Sequence, residues 1–81
     1  MTTDQSVLTA INTLAEEEHR LLRKESDKTA TDLDRQRAFD IDIELDQCWD
    51  LLRQRRARRS AGQDPDIASV RSSSTVEAYL Q

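Results

Sequence analysis

One glycine, one proline, one cysteine, one histidine and three aromatic side chains in 81 residues leave little from which to build most kinds of protein. So few turn formers and aromatics exclude a β-sandwich or barrel, which needs turn residues at short, regular intervals. Cys48 alone can form neither an intrachain disulfide nor a cysteine-based zinc cluster, which points to a reducing cytoplasm. His19 alone leaves no distant histidine for a catalytic triad, and Gly62 alone cannot make a phosphate-cradling loop. No stretch of 18 apolar residues occurs, and Met1 to Gln5 has no basic region followed by an apolar run. Neither export nor a membrane span is therefore expected. The inventory favours a non-enzymatic chain without cofactors.

What the chain does have is charge. Charged residues make up 35% and hydrophobic ones 36%, so apolar side chains must lie on narrow stripes if anything is to be buried. Ordering costs roughly 1.5 kcal/mol per residue, and so thin a core suggests self-association as added support. The net charge of −4 hides a polarity. Residues 1–50 hold 13 acids and 6 bases, whereas residues 51–81 hold 3 acids and 6 bases. Bulk attraction to nucleic acid is not expected, although a local basic patch remains.

Val7, Ile11, Leu14, Glu18 and Leu21 recur at steps of four and three, with Leu8, Ala15 and Leu22 alongside, which predicts an amphipathic helix over about 5–25. Thr3 or Asp4 can cap it, and residues 26–31 form a polar interval for a turn. Thr31, followed by Asp32 and Asp34, suits the start of a second helix that runs uninterrupted over 32–61 to Gly62. Its stripe is Ala38, Ile41, Leu45, Cys48 and Leu52. The alternation from Phe39 to Leu45 would also suit a strand, but no second segment offers a pairing partner. The fold expected is all-α: a two-helix antiparallel hairpin over 1–62 with a long second helix, then a tail over 63–81. Asp64-Pro65-Asp66 can start a short helical turn, and Ser74 to Glu77 has capping-box spacing for a helix at 75–81. Pairing about residues 28–29 ends helix 1 opposite residue 52, leaving Arg53 to Ala61 overhanging.

Phe39, Ile43, Trp49 and Leu51 fall beside rather than on the second helix's stripe, so one neighbouring helix cannot cover them all. With Leu45, Cys48 and Leu52, and with Tyr79 and Leu80 of the tail, they form the expected interface of a homodimeric four-helix bundle. Trp49 reads as an interface anchor rather than a ligand-stacking platform. Cys48 reads as a small apolar residue whose thiol Asp46 and Asp50 would make less acidic. Glu18, a carboxylate on an apolar stripe, is expected to pair with Arg35 or Arg37 and fix register.

Arg53, Arg55, Arg56, Arg58 and Arg59 can be read as phosphate contacts for nucleic acid or the ribosome. They can also be read as cations at a helix C-terminus. With Asp40, Asp42, Glu44, Asp46 and Asp50 earlier on the same helix, two hairpins meeting antiparallel near residues 50–51 would set acid beside base. No aromatics interleave with the arginines, and this structural reading is preferred. Glu16 and His19 have the Glu-x-x-His spacing of di-iron helices but fall outside the inward stripe, so a metal site is the weakest reading.

Glu17-Glu18-His19-Arg20-Leu21, the run from Leu45 to Ala57 that includes Gln47-Cys48-Trp49-Asp50, Asp64-Pro65 and the ending Tyr79-Leu80-Gln81 resemble a family of short actinobacterial proteins of unknown function. The resemblance covers most of the chain and implies a small cytoplasmic helical protein; no activity comes with it. Residues 72–74 depart from the family pattern, which carries a proline-containing segment there. The expected role is a self-associating interaction module, with the tail docked on the basic overhang or offered to another protein.

Overall fold

The computed structural model describes residues 3–80, with side chains described up to Ala78. Helix α1 spans Asp4–Ser26 and α2 spans Asp32–Ser60; a 3-10 turn at Pro65–Ile67 and helix α3 at Ser73–Leu80 follow. No strand occurs among the described residues. Both long helices begin with a reciprocal cap. The Thr3 hydroxyl accepts from the Ser6 amide while Ser6 answers the Thr3 amide, and Thr31 and Asp34 repeat the pattern at α2. Each cap satisfies amides that a helix start leaves without partners.

Between the helices Lys28 takes a left-handed φ of 61°, and the amides of Thr29 and Ala30 return to the Lys24 carbonyl. Gly62 ends α2 with a φ of 73°. The 29 residues of α2 span about 43 Å and account for most of the 50 Å long axis.

α1 and α2 pack against each other, and the 3-10 turn and α3 both fold back onto α2. Val7, Ile11, Leu51, Leu52 and Ala68 form the core, with Leu45 and Cys48 half-buried against it. Ile41 and Val76 are fully buried as well. The core therefore draws on both helices and the C-terminal arm, at the end of the hairpin away from its turn. At the turn end, Leu21, Leu22, Ala30 and Ala38 line a cleft of about 190 Å³.

The helices match the expected spans to within a residue, and Phe39 to Leu45 is helical. Two details differ. α3 begins at Ser73 rather than residue 75, because the Ser72 carbonyl already accepts from Val76 and its hydroxyl caps Thr75. The expected bare overhang is covered: Asp4 reaches both Arg55 and Arg59, and the 3-10 turn closes over Arg55. Among the described residues no helix is long and apolar enough to cross a membrane.

Candidate functional site

The long helix presents three faces. One carries Ile41, Leu45, Cys48 and Leu52, at steps of four, three and four, toward the α1 core. The Cys48 thiol is pushed up by burial and, second, by the charge of Glu44; Asp46 and Asp50, expected to do this, take no part. Leu51 and Leu52, expected at a dimer interface, belong instead to the chain's own core.

The second face holds the arm, and its centre is Asp50. This carboxylate is only 1% exposed. Arg71 grips both its oxygens with a two-pronged guanidinium contact, the Nε hydrogen bond measuring 2.9 Å. The Gln54 amide donates to Asp50 Oδ2 at 2.8 Å and to the Ser69 carbonyl at 2.9 Å. Gln47 donates to the Arg71 carbonyl at 3.1 Å. Arg71 first, and Gln54 after it, hold the Asp50 carboxyl below its ordinary range. Such burial of a charge is tolerable only when every lone pair finds a donor. The clamp was not foreseen: Asp50 was expected, with Asp40, Asp42, Glu44 and Asp46, to lie beside the basic half of a partner's long helix. One signal was available: Arg71 is the only basic residue after Arg59.

The arginine cluster is largely consumed by the chain itself. Arg55, 4% exposed, donates to Asp4 at 2.7 Å, to Asp66 at 3.0 Å and to the Pro65 carbonyl at 3.2 Å. Arg59 closes on the same Asp4, whose carboxyl is lowered to about 2, by Arg59 first and then by Arg55. Arg58 donates to Gln63. A contiguous five-arginine phosphate surface therefore does not form, because Arg55 is buried among its own carboxylates. Arg53 and Arg56 are exposed and make no close ion pair among the described residues, although the Arg53 charge adds to those that hold Asp50 ionised.

The expected register pair is displaced by one residue. Arg37 grips both oxygens of Glu17, at 2.6 and 3.0 Å, and also reaches Glu44. Arg35 is held by Glu25 and Asp32. Glu18, a turn of about 100° away from Glu17, meets Asp42 instead, and that carboxyl contact raises its proton affinity. Glu16 and His19 line an open depression on α1 with Asn12 and Ala15. No group of three or more metal-ligating side chains occurs among the described residues.

The third face is uncovered. Phe39 is 63% and Trp49 44% exposed, and the residues between and beyond them at steps of three and four are Asp42, Asp46, Arg53 and Arg56. Ile43 is half-buried. Tyr79 and Leu80, the remaining residues of the expected interface, have side chains outside the described set. This face therefore carries two exposed aromatic side chains about 15 Å apart along the helix, with acids on one side of Trp49 and bases on the other.

A family model for proteins of unknown function (DUF2630) matches residues 3–81. The chain belongs to the DUF2630 family. The chain is also similar to uncharacterised proteins of Mycobacterium tuberculosis and Mycobacterium bovis, each 67% identical over 39 residues. The match covers 48% of this chain and 45% of those relatives, so it spans about half of either length. No solved structure matches this DUF2630 chain. The family match agrees with the resemblance carried by the Leu45 to Ala57 run and by the N-terminal Glu-Glu-His-Arg-Leu motif.

Proposed function

We propose that the protein is a non-enzymatic helical interaction module of the cytoplasm that self-associates through α2. The observation that carries this reading is the exposure of Phe39 and Trp49 on the one face of α2 that neither α1 nor the arm covers. Two of the chain's three aromatic residues are thereby withheld from a core that is short of apolar material. Aromatic side chains in such positions supply most of the energy of protein interfaces. A lone half-buried cysteine with a poorly acidic thiol suits a reducing compartment.

Binding to nucleic acid has less support, since Arg55 and Arg59 are committed to Asp4 and no aromatic stands among the arginines left over. Sedimentation equilibrium between about 1 and 100 μM tests the proposal. A concentration-dependent dimer that Trp49→Ala weakens supports it; a folded monomer throughout that range overturns it. Retention on heparin at low salt, abolished by Arg53→Gln with Arg56→Gln, would favour the phosphate reading instead.

A further inference from the structure

The uncovered face of α2 is self-complementary, and its centre of symmetry is Trp49. Asp42 lies seven residues before Trp49 and Arg56 seven after; Asp46 lies three before and Arg53 four after. We infer that this face pairs with the same face of a second copy, antiparallel, with the two-fold axis passing between the two Trp49 side chains. In that register Asp42 faces the partner's Arg56 and Asp46 faces the partner's Arg53, each pair occurring twice by symmetry. Phe39 then covers the last turn of the partner helix. This inference rests on the self-association proposed above and adds its partner and its register.

The division of charges within the chain is what selects the second copy as occupant. Asp50, Arg55 and Arg59 are spent on intrachain contacts, and Glu44 is taken by Arg37. The charges left without an ion-pair partner on this face, among the described residues, are Asp46, Arg53 and Arg56. Asp42, at the edge of this face next to α1, shares a carboxyl contact with Glu18, and a cation facing it from a second copy would offset that pairing of like charges. Two acids on one side of Trp49 and two bases on the other make a pattern that matches itself only when reversed. A parallel pair would set Asp46 against Asp46 and Arg53 against Arg53, which repel. A uniformly charged partner such as nucleic acid would meet the two aspartates as a repulsive half. An apolar surface with no charge of its own would leave all four groups desolvated without partners.

Asp46→Arg and Arg53→Gln read the register, because neither side chain is within ion-pair distance of an opposite charge in its own chain, and glutamine in place of Arg53, whose charge helps hold Asp50 ionised, sets no new acid beside that carboxylate; the reversal Arg53→Asp is used only in the double variant. Sedimentation equilibrium should show roughly tenfold or greater weakening of the dimer for Asp46→Arg, where each contact is lost twice and replaced by repulsion, and a smaller weakening for Arg53→Gln. The double variant carrying Asp46→Arg and Arg53→Asp in one chain should recover dimerisation to within a few-fold of the original. Circular dichroism melting of each variant at a monomeric concentration verifies that the hairpin is intact. If the original chain dimerises but the double variant fails to recover, the register is overturned and self-association stands. If the original chain is monomeric, both are overturned, and a monomer that binds heparin through Arg53 and Arg56 would assign the face to phosphate.

Discussion

Arg71 reaches back from the C-terminal arm to grip Asp50 at the middle of α2 with both prongs of its guanidinium group. The pair joins residues 21 apart in sequence, and the Asp50 end of it is shut off from water. Through it the arm is fastened by a charge contact as well as by the burial of Ala68 and Val76.

Arg71→Ala should therefore destabilise the protein by about 3 kcal/mol, because it leaves a buried carboxylate with only Gln54 as donor. Urea unfolding measures the loss. Asp50→Asn with Arg71→Gln should recover part of it, since both charges then disappear together. Hydrogen exchange should locate the damage in α3 while α1 keeps its protection.

Backbone conformation at the two helix ends predicts opposite responses. Lys28 holds a left-handed φ of 61°, which costs a side-chain-bearing residue roughly 1–2 kcal/mol, partly offset in glycine by a more flexible unfolded chain. Lys28→Gly should stabilise by about 0.5 kcal/mol. Gly62→Ala should destabilise by about 1 kcal/mol, for no atom crowds a new Cβ and the strain at φ 73° is the whole effect. Thermal melts of the two variants read both signs.

Acid should weaken the fold in a defined window. Asp4, Glu17, Asp34 and Asp50 all have carboxyls held below their ordinary range, by Arg59, Arg37, the Thr31 amide and Arg71 respectively as the largest causes. Each contributes stability that is present above the unfolded carboxylate value near 4 and lost as pH falls through the folded value. The melting temperature should fall as pH drops from about 4 toward 2, the region in which Asp4 titrates. Asp4→Asn should remove the part of that decline near pH 2.

Glu18 runs the other way. Its proton affinity is raised, first by the carboxyl contact with Asp42 and then by burial, so its favourable contribution is present below the unfolded value and lost as pH rises through the folded one. Glu18→Gln should raise stability at pH 7 by up to about 0.5 kcal/mol and leave it unchanged near pH 4. Urea midpoints at the two pH values distinguish this from a simple packing gain.

Helix spans, caps and the hairpin were legible because local signals carry them: Thr31 with Asp34, the Val7/Ile11 spacing and Gly62 each act within a few residues. The arm was not, because its position depends on contacts between distant segments. Ile67 and Val70, the larger apolar residues of this stretch, remain exposed, while the smaller Ala68 is buried. A 3-10 turn rotates side chains about 120° per residue and gives no helical stripe to read. Glu18 was recognised as anomalous but given the wrong partner, since a shift of one residue carries a side chain to the opposite flank of its helix. Trp49 and Phe39 were legible as surplus apolar residues, but which of their neighbours remained uncovered depended on where Arg55, Arg59 and Asp50 had already been used.

The core's location has a mechanical consequence. Val7, Ile11, Leu51 and Leu52 lie at the mouth of the hairpin, whereas its bend carries ion pairs and a cleft. The structure is latched at the mouth, so fraying at the bend leaves the latch closed. Conversely, the chain gains little until residues far apart in sequence have met, which makes closure a late and cooperative step. Amide protons in the second half of α2 should consequently be the slowest of all to exchange.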